Sequence, residues 1–284
     1  MGNLIPSVSS STSLTLTLLS HKGHAHDALD RAEEIDHYLE ECNEDRSNRM
    51  ARQDTAYAAQ RITYYELKRA EVALENSISF LPPRLLSDLT TVSIVPLMPS
   101  ADGGMPHTRP GNLLCCPDLS QIAHLPTLIH ELWHIHQRLY MDVWTRVFHE
   151  WGWTPLEDTS AYVLSPRIEA VRRYNPDTID SPFWVYQHTW IPIPVFKDPA
   201  HPSVSDTEIW FIHRTEGYHV RTVPPEMRQS YPTAPDAAFE HPREMAAYLL
   251  SNPDRHRGTP GFEALRSFVG ETAMPPSALQ ALAH

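Results

Sequence analysis

The chain has 284 residues, 41% hydrophobic and 20% charged, enough to bury a core without disulfide staples. No apolar run approaches the roughly 20 residues of a membrane-spanning helix, so a membrane partner is not expected. Its formal net charge of −12 argues against nucleic acid, which wants a basic stripe. The 26 prolines and 17 histidines are the informative excesses, because they imply stiffened loops and abundant imidazole.

In chain order, residues 1–24 read as a disordered Ser/Thr tail without the basic start and cleavage site of a signal peptide. Residues 25–284 read as a single α+β domain in three parts, 25–81, 82–152 and 153–284. The first part is proline-free to Phe80 and predicts two helices, broken near Asn43–Asn48, the second running from about Gln53 to Phe80. Pro82-Pro83 ends it, and Leu89–Val95 follows as a β-rich run. Turn material from Pro99 to Pro110 leads to a second strand, Asn112–Cys116. Cys42, Cys115 and Cys116 make no disulfide framework, and a reducing, cytoplasmic setting is the expectation. A long helix is predicted from about Pro126 to His149, closed by Gly152, and then a short helical piece over Pro155–Leu164. Pro176–Pro202 shows little periodicity and reads as an irregular, Trp- and Pro-rich stretch whose Trp184, Trp190 and Pro192-Ile193-Pro194 either line a groove or pack in a core, as Trp210 does beyond it. Glu208–Arg214 and Tyr218–Val223 predict a hairpin around Gly217, and Pro242–Leu250 predicts a helix with proline at its first position.

The long helix carries His130-Glu131-Leu132-Trp133-His134, an HExxH motif. At about 100° per residue from His130, His134 falls near 40° and Gln137 near 340°, whereas Leu128, Leu132, Ile135 and Leu139 fall between about 140° and 200°. Two imidazoles one turn apart can therefore meet one ion while the opposite face packs into the core. Glu131, near 100°, reaches a metal-bound water more easily than the metal, which is the place of a general base. His136, His149 and His213 read as surface or satisfied core histidines.

Zinc in a catalytic site takes three protein ligands and leaves one position open. Glu150 is excluded on a continuous helix, about 24 Å along the axis from His134. Glu157 stands at a plausible separation, although Thr154-Pro155-Leu156-Glu157 also matches a capping box. Glu244, at the start of the Pro242 helix, is a further candidate, and its ordinary alternative is an acid favoured by the helix dipole. Asp158, Glu169, Glu240 and a third histidine stay open.

With these residues in view, the chain resembles the zincin metallopeptidases, of gluzincin type. The resemblance covers Asn112–Cys116, the helix through Gln137 and the segment His241-Pro242-Arg243-Glu244-Met245-Ala246-Ala247-Tyr248, which is similar to the Pro-x-Glu-x-x-Ala helix that supplies a third ligand in gluzincin-like families. It lacks the longer metzincin signature, having Gln137 and Tyr140 where glycine and histidine belong. Ile129–Arg138 followed by Tyr174-Asn175-Pro176-Asp177 is similar to zincin-like proteins of viruses and microbes. The resemblance implies a Zn2+ site made by His130, His134 and Glu244, with Glu131 as base and a peptide or protein substrate. It also implies that Asn112–Cys116 is an edge strand that pairs with substrate, and that a Tyr or His near the third ligand stabilises the oxyanion: Tyr248, Tyr218 or His219. Two other readings share the motif: a non-catalytic zincin-like module that binds a protein, and a zinc hydrolase of a non-peptide amide.

Overall fold

The computed structural model describes residues 14–52, 57–156 and 165–269. It is α+β with two small sheets. Strand β1 (Thr15–Leu18) opens the described chain, followed by helices α1 (Lys22–Asp36), α2 (Tyr38–Glu44), α3 (Arg46–Arg52), α4 (Tyr64–Ile78) and α5 (Pro83–Asp88). Then come β2 (Thr91–Pro96), β3 (His107–Arg109), β4 (Leu113–Cys116), α6 (Leu119–Ala123), α7 (Leu125–Leu139) and α8 (Met141–Glu150). The second half contains β5 (Trp153–Pro155), α9 (Pro166–Glu169), β6 (Trp184–Tyr186), β7 (Trp190–Phe196), β8 (Thr207–His213), β9 (His219–Val220), α10 (Pro225–Ser230) and α11 (Pro242–Ser251).

The first sheet has the order β1-β2-β4-β3, parallel except for the antiparallel β3–β4 pair. Two expectations are corrected here. Residues 15–18, assigned to the tail, pair in parallel with β2, because Leu16 and Leu18 pack against the core while Thr15 and Thr17 face outward. Asn112–Cys116 is not an edge: β4 is hydrogen-bonded on both sides, and β3, hidden in the expected turn material, takes the edge. All four residues of β4 are buried, including Cys115 and Cys116, as expected of a strand covered on both faces; the three cysteines are free.

The helical region is cut more finely than its composition predicts. His37 adopts φ 50°, a left-handed conformation that separates α1 from α2. Helix α4 starts at Tyr64, later than Gln53, because Thr63 and Glu66 form a reciprocal capping box. The predicted Pro126–His149 helix breaks at Tyr140. Continued without a break, it would carry Trp144 and Phe148 to about 320° and 0°, on the histidine face. The break turns both into the core instead, where Trp144 meets Trp133 and donates to His136 Nδ1 at 2.9 Å. His136 is thus a satisfied core histidine, held on its other side by Asp88 at 3.0 Å.

The second sheet is antiparallel, in the order β5-β6-β7-β8-β9. It corrects the irregular reading of Pro176–Pro202: β6 and β7 occupy that stretch, and their burial on both faces erases the alternation that sequence reading needs. Trp184, Trp190 and Trp210 are buried here. Pro155 ends a strand, not a helix start, and residues 157–164 of the expected helical piece, including Glu157 and Asp158, lie outside the described residues. The predicted β8–β9 hairpin is present, with Gly217 at φ 71° in its turn. Helix α11 packs along α7 through fully buried Ala246 and Ala247, whose small side chains let the two axes come close.

Candidate metal centre

The site forms where the histidine face of α7 meets the first turn of α11. Helix α7 begins with Pro126 in its first turn, and His130 and His134 follow one turn apart above the core stripe of Leu128, Leu132 and Ile135. Helix α11 begins with Pro242, and its N-cap His241 accepts from the Arg243 amide at 3.1 Å. This fixes Glu244 in the first turn, aimed at α7. His130 Nε2 and His134 Nε2 stand 3.0 Å apart, and Glu244 Oε2 lies 3.3 Å from the first and 3.5 Å from the second. A tetrahedral zinc ion with bonds of about 2.0–2.1 Å separates its ligands by about 3.3–3.4 Å. The donor triangle has that size, and its atoms are the ones zinc uses.

Each donor is oriented by a further group. Gln137 is fully buried; its Oε1 accepts from His134 Nδ1 at 2.9 Å, and its Nε2 donates to the Arg243 carbonyl at 2.9 Å. Gln137 thus takes the Nδ1–H of His134, so that a metal displacing the second proton would meet the Nε2 lone pair at the triangle. Asn175 Nδ2 donates to Glu244 Oε1 at 2.9 Å and to Glu240 Oε1 at 2.5 Å, leaving Glu244 Oε2 toward the imidazoles. Burial works to raise the Glu244 carboxyl, yet the imidazoles of His134 and His130 hold it well below the usual range. Burial opposes charge on His134 too, but Glu244 and Asp177 bring it up to about 9.

Glu131 is 4% exposed, and its Oε2 has no hydrogen-bond partner among the described residues. Burial first, and then the charge of Asp177, raise its carboxyl above the ordinary value. A buried unpartnered carboxylate oxygen costs on the order of 1–3 kcal/mol, a cost that a bound water or substrate proton would remove. Glu131, the donor carboxylate Glu244 and the ring of Tyr248 all line one open cavity of about 700 Å3. The Tyr248 ring meets the His130 ring edge-on at 4.6 Å between centroids, and burial followed by Glu244 pushes its hydroxyl pKa upward.

Other candidates are placed elsewhere. Tyr218 packs against Trp190 and His213, and His219 stacks on Trp210, so neither lines the cavity. Nor do Trp184, Trp190 and Trp210. Glu169 pairs with Arg172 at 2.6 Å, away from the donors, and Glu240 sits beside the triangle as a partner of Asn175. Glu150 is exposed at the end of α8. Sequence reasoning left Arg173, Asn175 and Asp177 without roles, although all three line the cavity. Asn175-Pro176-Asp177 carries a turn signal and falls in the stretch similar to zincin-like proteins, but nothing local says that the turn lands on Glu244.

Among the described residues, His130, His134 and Glu244 are the one group of three or more His, Cys, Asp or Glu side chains close enough to hold a metal. No helix among these residues is long and apolar enough to cross a membrane. Compared with known proteins, the chain matches no family model, no curated protein and no solved structure.

Proposed function

We propose that the chain is a zinc-dependent metallopeptidase of the gluzincin kind, with His130, His134 and Glu244 as ligands and Glu131 as general base. The observation that carries the reading is a triangle of lone-pair donors of zinc-sized edges beside a buried carboxylate with an unpartnered oxygen. When bound, zinc supplies Lewis-acid polarisation of the attacking water and of the substrate carbonyl. Glu131 accepts a proton from that water as its oxygen bonds to the carbonyl carbon. Its raised proton affinity suits it to hold the proton and return it to the leaving nitrogen as the C–N bond breaks. Tyr248, which lines the cavity and is kept protonated by burial, would donate toward the developing oxyanion. Gln137 and Asn175 keep the donors aimed through the cycle.

A purely structural zinc site gains nothing from an unpaired acid next to it, so Glu131 favours catalysis over a protein-binding module. The test is zinc content by elemental analysis together with cleavage of a mixed peptide pool, for wild type and Glu131→Gln. One zinc per chain in both proteins, with cleavage lost only in Glu131→Gln, is the expected result. Absence of zinc from wild type after chelator-free purification sinks the reading; zinc without any peptide cleavage returns the chain to the binding module or to a non-peptide amide hydrolase.

A further inference from the structure

An extended polypeptide is commonly held beside such a centre by adding as a strand to the free edge of the sheet. In this chain the edge that borders the cavity, β3, is closed. Thr108, the central residue of β3, sends its amide to Asp177 Oδ1 at 2.8 Å, and its carbonyl accepts from Arg138 Nη2 at 3.1 Å. Its hydroxyl also donates to Asp177 at 2.6 Å. Both backbone groups of Thr108 therefore point away from β4. By the two-residue period of a strand, the other outward-facing positions are 106 and 110. Both are proline and have no N–H to offer. The backbone of an added strand would find no donor along this edge.

The cavity must then hold its substrate through side chains. Its acids are largely matched: Asp102 lies 3.1 Å from Arg52, Asp177 lies 3.9 Å from Arg138, and Glu244 faces the imidazoles. Arg173 differs. Its side chain is 11% exposed, its Nε is buried without a hydrogen-bond partner among the described residues, and its nearest carboxylate oxygen, on Glu240, is 3.8 Å away. Among the described residues it is the one arginine lining the cavity that is not exposed; Arg255 stands at the rim. Glu240 and Asn175 connect it to Glu244 through contacts of 3.8, 2.5 and 2.9 Å, so the guanidinium lies within about three residues of extended chain from the donor triangle. A guanidinium with donors to spare, largely enclosed at that distance, suits a carboxylate.

We propose that the site acts on short peptides whose chain ends within the cavity, with the free terminal carboxylate taken by Arg173. The proposal rests on the peptidase reading. The closed β3 edge denies an internal polypeptide segment backbone pairing, whereas a chain end gains a charged anchor.

The test uses zinc-loaded full-length protein and two measurements. Calorimetric binding to Glu131→Gln compares one tetrapeptide as its free acid, as its C-terminal amide, and as an amide bearing a terminal glutamate side chain. Cleavage by wild type compares the same peptides with a denatured protein. The expected result is at least tenfold tighter binding of the free acid than of either amide. That ratio should fall toward one in Arg173→Gln and be partly kept in Arg173→Lys, with zinc content unchanged in both variants. Cleavage should be confined to the short free acid. Internal cuts in the denatured protein, a free-acid preference below threefold, or a preference that survives Arg173→Gln overturns the inference while leaving the peptidase standing. A glutamate-bearing amide that binds as tightly as the free acid overturns the chain-end form. Free-acid preference without any turnover overturns the peptidase and keeps the anion subsite, and absence of both binding and turnover overturns both. Should Arg173→Gln fail to fold, Arg173→Lys and the acid–amide comparison on unaltered Arg173 still decide the matter.

Discussion

Helices α7 and α11 each deliver part of the donor triangle, yet they are organised differently. The α7 contribution is largely self-contained: His130, His134 and the orienting Gln137 share one face within two turns of the same helix. The α11 contribution is assembled from distant chain. Glu244 is aimed by a cap at His241, by Asn175 from a loop 69 residues earlier and by packing on α7. A ligand pair written into helical periodicity survives as long as the helix does, whereas a lone ligand depends on every element that holds its helix in register. The α11 side is thus where the site can be loosened without destroying the fold.

The largest effect belongs to the α7 side. His134→Ala should remove zinc below a tenth of stoichiometry and abolish cleavage, read by elemental analysis and peptide assay; retention of half the zinc would mean that the pair is not the principal anchor. Next comes the α11 tyrosine. Tyr248→Phe should lower kcat by roughly 10²-fold with zinc content unchanged, as loss of one oxyanion donor does. An unchanged kcat would reduce Tyr248 to a packing contact of His130.

The contrast itself is sharpened by a pair of substitutions, Asn175→Ala and Gln137→Ala. Each should weaken zinc by about 10–100-fold in competition with a chelator, since each removes the group that aims a donor. Gln137 also ties α7 to the Arg243 carbonyl, so its loss should additionally lower the melting temperature. Equal melting temperatures would show that the two helices are held together without that bridge.

The smallest effect is a pH dependence. His241 is buried, and burial followed by the Arg243 charge lowers its pKa to about 3. It must stay neutral for Nδ1 to accept from the Arg243 amide while Nε2 donates to the Ser181 carbonyl at 2.9 Å. The unfolded chain gains this proton below about pH 6.5 and the folded chain only near pH 3, so the contribution is intact above 6.5 and is lost as pH falls between them. At pH 5 this amounts to about 2 kcal/mol. Denaturant unfolding at pH 7 and pH 5 should show a smaller pH penalty, by about that amount, in His241→Asn, which can still cap the helix. An identical penalty in both proteins would remove His241 from the account.

Much of the site was legible from the chain alone, for a definable reason. His130, Glu131 and His134 are related by helical periodicity, and Glu244 follows a proline-started helix, so each carries a local signal. The β8–β9 hairpin announced itself through alternation and Gly217. The segment 173–177 carried no comparable signal, because Asn175 acquires its role only by lying 2.9 Å from Glu244.

Sequence by itself determined the elements whose residues talk to near neighbours: the α7 histidine face with its opposite core stripe, the start of α11 and the hairpin. Tertiary structure alone decided the rest. It drew residues 15–18 into a sheet, moved the edge from β4 to β3, broke the HExxH helix at Tyr140 and closed the β3 edge with Asp177 and Arg138. Strand order, edge protection and donor aiming depend on hydrogen bonds between residues dozens to more than a hundred positions apart, and neither periodicity nor propensity encodes which distant partner satisfies a backbone amide or a carboxylate.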